Sequence, residues 1–185
     1  MILLVSAVFH PEPVVSAQIA QSLAQQLAIE RRVTVGCPRP TRPYGETYPG
    51  QKPSDTSFEV KVVRSYVHPG PSFIGRMLES ISFGRATSKF IEEHNKDISV
   101  IYANTWPMFA QYAVTRTCKK LNIPLVLHVQ DIYPETLTDR LRMIGPIVRA
   151  LLMPMDKYVV NNATAIVAIG NKMAEYLATS RGIDK

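Results

Sequence analysis

The chain alternates short apolar runs with longer stretches of helical period. Residues 2–6 (ILLVS) are a nearly unbroken apolar run, and over residues 14–29 Ile19, Ala20, Leu23 and Leu27 fall on one helical face. Residues 32–36 predict a second strand. Phe58, Val60 and Val62 alternate with polar positions across 58–63, the signature of a strand near a sheet edge. A helix is expected from 72 to about 94, weakened near Gly84. A strand over 98–102 and a helix over 107–121 follow, the helix stopping near Asn122 ahead of Pro124. Residues 125–130 predict a further strand, 136–142 and 146–161 helices, 165–168 a sixth strand and 172–180 a last helix before Arg181 and Gly182. Pro146 suits a first helical turn, whereas Pro154 is expected to kink or interrupt its helix. Five prolines between residues 37 and 57 argue against regular structure there, and 66–71 reads as a second loop.

Repeated β-α alternation predicts an α/β fold, a Rossmann-like parallel sheet with helices on both faces. A single domain over residues 1–185 accounts for the length, which is enough to enclose a core. Hydrophobic content of 46% and charged content of 19% are those of an ordinary globular protein. No stretch approaches the roughly 18 apolar residues of a membrane span. The opening lacks a basic n-region and a small-residue cleavage site, so it reads as a strand and the chain as cytoplasmic. The net charge of +6 favours anionic partners, but the basic residues are scattered without aromatic interleaving, and nucleic acid is not expected. Cys37 and Cys118 match no metal or redox spacing and read as buried thiols.

Absent motifs narrow the chemistry. No G-x-G-x-x-G, Walker A loop or G-x-S-x-G elbow occurs, and His10, His68, His94 and His128 lie on separate elements without metal-ligand spacing. The polar positions of interest sit instead at the expected carboxyl ends of strands, where open α/β sheets bind ligands. After the first strand come His10, Glu12 and Ser16, leading into a helix whose free N–H groups suit an anion or sugar hydroxyls, or whose prolines and serine merely start it. After the fourth come Asn104, Thr105 and Trp106, which either cap the next helix or offer an amide and an aromatic face to a sugar. After the fifth, LVLHVQDIYPE ends in Gln130, Asp131, Tyr133, Pro134 and Glu135, a stiff loop carrying two carboxylates. His128 shares a strand face with Gln130 and reads as a buried, hydrogen-bonded side chain. The segment 141–158 mixes long apolar residues with Arg142, Arg149 and Lys157, either a core helix with a basic outer face or one lying against anionic lipid.

Four stretches, ILLVSAVFHPEP, VLHVQDIYPE, GPIVRALLMPMDKYVVNNATAIVAIG and NKMAEYLATSRGIDK, together resemble the N-terminal half of a family 4 glycosyltransferase of the bacterial polysaccharide or lipopolysaccharide type. The resemblance implies the acceptor-binding half of a GT-B fold. It implies a retaining, metal-independent transfer from a nucleotide sugar to a saccharide or polyprenyl-linked acceptor at the inner membrane surface. No cofactor is expected in this domain; the nucleotide-sugar donor belongs to a second domain, which the resemblance places after Lys185. On the same footing His10, Glu12, Ser16, Asn104, Trp106, Gln130 and Glu135 are expected to bind substrate, and Asp131 to act as a base. Two departures qualify this. Val14, Val15 and Ser16 replace the Gly-Gly pair of many relatives, and Gln130 replaces a histidine, leaving an orienting group in place of a proton acceptor. The alternatives are a non-catalytic Rossmann-like interaction module, or another GT-B enzyme such as a nucleotide-sugar epimerase.

Overall fold

The computed structural model describes residues 1–43, 48, 57–68, 70, 72–104, 107–138 and 145–183. Six strands form one parallel sheet: β1 (Ile2–Ser6), β2 (Val33–Cys37), β3 (Glu59–Val62), β4 (Val100–Asn104), β5 (Leu125–Val129) and β6 (Ala165–Ala168). Their spatial order is β3-β2-β1-β4-β5-β6, the Rossmann arrangement the alternation predicts. Six helices connect them: α1 (Val15–Ala28), α2 (Phe73–Glu93), α3 (Met108–Leu121), α4 (Glu135–Thr138), α5 (Gly145–Asn161) and α6 (Asn171–Arg181). Leu3, Leu4 and Val5 are all buried because β1 is central and covered on both faces. The strand over 58–63 does lie at an edge, and Glu59, Lys61 and Val62 are exposed there.

The two faces are filled differently. Leu3, Val5, Ile101, Leu125 and Leu127 meet Phe83 and Ile91 of α2, Val114 of α3, Val159 of α5 and Leu177 of α6. On the other face Leu4, Val33 and Val35 meet Ala20 and Ala24 of α1 with Phe9 and Phe58. The inward stripe of α1 is Ala17, Ala20 and Ala24; small side chains let the helix lie close on the sheet, which pushes Leu23 and Leu27 to the flank and leaves Ile19 exposed.

Four other expectations shift. The fourth strand runs to Asn104, two residues beyond the apolar run, because Ser6 continues the backbone ladder opposite Asn104. Gly84 does not weaken α2. It is buried against α3, where a Cβ would stand 2.8 Å from the Ala110 Cα. Pro154 does not interrupt α5; it and Ala150, whose carbonyl loses its donor, both lie on the exposed side, where water replaces the bond. The helix expected over 136–142 begins at Glu135, and its later part lies outside the described residues. Asn122 closes α3 in the left-handed region (φ 55), which asparagine tolerates better than most residues.

Candidate functional site

Pairing register sets Ser6 beside Asn104 and Asn104 beside His128, so β1, β4 and β5 end level with one another. The chain leaves β1 toward β2 on one side and returns as β4 on the other. The loops after β1 and β4 therefore diverge, opening a crevice at the carboxyl edge.

Asn104 is the fully buried centre of this edge. Its Nδ2 donates to the Ser16 carbonyl at 3.3 Å and to Ser6 Oγ at 3.5 Å, while Oδ1 accepts from Gln130 Nε2 at 2.8 Å. Ser6 Oγ in turn donates to the Val8 carbonyl at 2.7 Å. One amide thus ties together the loop after β1, the start of α1 and the loop after β5. Buried polar groups linked in this way fix a single geometry, because each would be costly to leave unpaired.

Over this base lies a cleft of about 380 Å³ whose lining includes Ser16, Arg42, Arg76, His128, Gln130 and Asp131. Three of the expected residues, Ser16, Gln130 and Asp131, are therefore brought together. Asp131 is exposed and makes no hydrogen bond or ion pair among the described residues, so its carboxylate retains its full capacity to accept. Trp106, with Thr105, lies outside the described residues. His10 is half-buried in the loop after β1 and does not line the cleft.

Glu12, Asn104 and Glu135, expected to meet substrate, are each engaged in hydrogen bonds within the protein. Buried Glu12 accepts, at Oε1, the N–H groups of Thr41 (2.7 Å) and Arg42 (2.9 Å). It clamps the proline-rich segment after β2 against the loop after β1 and so delivers Arg42 to the cleft. Glu135 accepts from Arg181 Nη1 (2.9 Å) and Nη2 (2.8 Å), Tyr176 Oη (2.9 Å) and Arg149 Nη2 (3.2 Å). Burial alone would raise its pKa; the bonds to Arg181, the backbone and Tyr176 outweigh that and hold it below the usual range. Arg181, its side chain 0% exposed, also bonds Asp156 Oδ2 and the Tyr133 carbonyl, each at 2.5 Å. The second carboxylate of the loop after β5 is thus an anchor that pins the loop to α5 and α6.

His128 is half-buried, edge-on to Tyr102 with centroids 6.0 Å apart, and its Nδ1 is buried without a partner. Among the described residues the expected hydrogen bond is not formed. Burial lowers its pKa, so the ring is neutral at pH 7; placing the proton on Nε2 avoids burying an unpaired Nδ1–H. Arg42, Arg76, Glu79, Gln111 and Tyr133 also line the cleft, and none was expected. Arg42 falls in a segment without periodicity, and Arg76 with Glu79 reads as an ordinary i,i+3 pair on a solvated helix face; only the folded loop turns them inward. Burial and the neighbouring Arg76 charge lower the Arg42 pKa, against the opposing pull of Glu12, Glu79 and Tyr133, yet a guanidinium remains charged. Among the described residues no group of His, Cys, Asp or Glu is placed to hold a metal ion. Cys37 and Cys118 are buried away from the cleft, and burial pushes both thiols up to about 12.

No curated protein of similar sequence was found. A crystal structure of Anabaena HepE in complex with UDP and glucose is similar at 17% identity and a TM-score of 0.44, over 92% of this chain and 44% of that one. This chain therefore spans less than half the length of that protein. Residues 15–185 match the family described as a glycosyl transferase 4-like domain. That match takes in α1 and every element after it, including all the residues of the cleft beyond the β1 strand end, and the chain belongs to this glycosyltransferase family.

Proposed function

We propose that this chain is the acceptor-binding domain of a retaining GT-B glycosyltransferase. In that reading the cleft at the carboxyl edge holds a saccharide or lipid-linked acceptor, and a second domain brings the nucleotide sugar to its mouth. The observation that carries the reading is the convergence of Ser16, Gln130 and Asp131 on one cleft, with Asp131 unpartnered and Gln130 oriented by Asn104. A carboxylate and an amide suit the hydroxyl groups of a sugar, which both donate and accept. Asp131 takes up the proton of the acceptor hydroxyl as its oxygen bonds the anomeric carbon on the face from which the nucleoside diphosphate departs, so the carbon–oxygen bond to the diphosphate breaks and the configuration is retained. Holding that hydroxyl against the anomeric carbon, together with closure of the two domains over it, supplies orientation and excludes water.

Membrane contact belongs to the same proposal. Ile147 and Leu151 stand one turn apart on the outer face of α5, 64% and 70% exposed. An exposed apolar pair on a helix suits the headgroup boundary of a bilayer. No helix among the described residues is long and apolar enough to cross a membrane.

The test is sugar transfer from a panel of labelled nucleotide sugars onto membrane-extracted acceptor lipid, by the enzyme that carries this domain. Asp131→Asn is expected to lower kcat/KM by about a hundredfold or more, as removal of a general base does. Transfer by Asp131→Asn at the unaltered rate would reject the role. Binding of UDP-glucose, but of no acceptor, by the isolated chain would reject the acceptor-domain reading itself.

A further inference from the structure

Hydroxyl recognition leaves two arginines in the cleft unaccounted for. Arg42 and Arg76 line both the main cleft and an adjoining hollow of about 40 Å³, which they share with Ser65 and Glu79. The carboxylates nearby already have donors of their own. Glu79 takes Arg76 Nη1 at 2.7 Å and the His68 N–H at 2.5 Å, and Glu12 takes the N–H groups of Thr41 and Arg42. The Arg42 guanidinium, by contrast, makes no hydrogen bond and no ion pair within 4 Å among the described residues. Ser65 Oγ, on the same hollow, is buried without a hydrogen-bond partner.

Such an arrangement is short of acceptors. An unpaired buried hydroxyl is unfavourable, and the neighbouring Arg76 charge repels that of Arg42. Glu12 keeps the arrangement in place, since it fixes the Arg42 backbone. A doubly charged tetrahedral oxyanion answers each deficit at once. It offers several acceptor oxygens, matches the planar fork of arginine, and supplies Arg42 with the anionic partner that Arg76 already has in Glu79.

We infer that Arg42, Arg76 and Ser65 form a subsite for a phosphate ester carried by the acceptor. The inference rests on the acceptor reading of the cleft and names the chemical class of its ligand. Two sources share that chemistry, a polyprenyl phosphate and a sugar phosphate.

The test titrates the chain, observed by backbone amide shifts and calorimetry, with farnesyl phosphate, glucose 1-phosphate and uncharged methyl glucoside. At least one phosphate ester is expected to bind, more weakly as salt rises, and whichever of the two binds tighter identifies the source. Arg42→Gln is expected to weaken that ester by about tenfold or more, the effect of losing a charge-assisted bond. Arg42→Lys retains part of the affinity, and Ser65→Ala loses less than Arg42→Gln. Because Arg42→Gln preserves the N–H that Glu12 holds, the fold should survive; Arg76→Gln repeats the test from α2. Unchanged ester binding by both arginine variants, or no ester binding at all, overturns the inference. If methyl glucoside still shifts Gln130 and Asp131 in that case, the phosphate subsite alone fails. If none of the three ligands shifts them, the acceptor reading fails with it.

Discussion

Removal of the Arg181 guanidinium tests whether the loop carrying Gln130 and Asp131 is held from behind. Arg181 reaches both Glu135 oxygens, Asp156 and the Tyr133 carbonyl from a fully buried position. The carboxylates it neutralises are themselves only 11% and 8% exposed. Arg181→Met fills similar space but leaves two buried negative charges facing each other. Breaking a buried pair by removing one partner costs about 3–5 kcal/mol, a large part of the roughly 5–15 kcal/mol that holds a domain together. For a chain of this size that is about 2–4 °C per kcal/mol, or a fall in Tm of roughly 6–20 °C. Urea unfolding followed by far-UV circular dichroism measures it, with an unchanged m-value indicating that only stability has altered. Adding Glu135→Gln and Asp156→Asn to Arg181→Met should restore a good part of the loss, since the stranded charges disappear. As a reference, Lys120→Met breaks the exposed pair with Glu92 at 3.0 Å and should cost about 0–1 kcal/mol. If Arg181→Met proves as mild as Lys120→Met, the network is ornamental and the loop is held by other contacts.

Gly84→Ala should destabilise despite the helix propensity of alanine, because its Cβ meets the Ala110 backbone at 2.8 Å; overpacking of about 1–3 kcal/mol outweighs a gain of at most about 1 kcal/mol. Gly170→Ala, with nothing within 4 Å of its Cβ, loses only the preference for glycine at the N-cap of α6 and should cost less than Gly84→Ala in the same melts. Stability should also fall in acid in two stages. The folded pKa of His128 lies below its ordinary value of 6.5, so the unfolded chain binds the extra proton first and stability declines as pH drops below 6.5; His128→Gln should flatten that part of a Tm-against-pH curve. Glu135, held below its ordinary 4.5, contributes stability that is full above 4.5 and lost as pH falls further through its folded pKa. Asp156, whose pKa burial raises, acts in the opposite direction over the acid range. Each stage is therefore read as the difference from the His128→Gln or Glu135→Gln curve, and curves identical to the parent's would contradict both assignments.

The sheet was readable in outline because buried parallel strands are continuous apolar runs, and residues 2–6 and 125–129 stand out from their surroundings for that reason. Strand limits were less so where backbone pairing, not side-chain character, decides them: Asn104 belongs to β4 because Ser6 and His128 lie opposite it on either side. The loops after β1 and β5 were identifiable as site-forming because polar residues and prolines follow strand ends, and Ser16, Gln130 and Asp131 meet there. Arg42 and Arg76 gave no local signal. One lies in a segment without periodicity, and the other has an acidic neighbour three residues on, which makes any surface helix look the same.

Two carboxylates in one short loop, Asp131 and Glu135, look equivalent in the linear chain, and their fates differ completely. Sequence alone determined that both follow a buried strand and that Pro134 stiffens the segment between them, since those are properties of neighbouring residues. Tertiary structure decided which one is bonded within the protein and which one lines the cleft. Arg181 is 46 residues from Glu135 along the chain and meets it only because α6 packs back against the loop, so Glu135 becomes an anchor and Asp131 is left to face the cleft. Charges are partnered by what lies close in space, and distance along the chain says nothing of that.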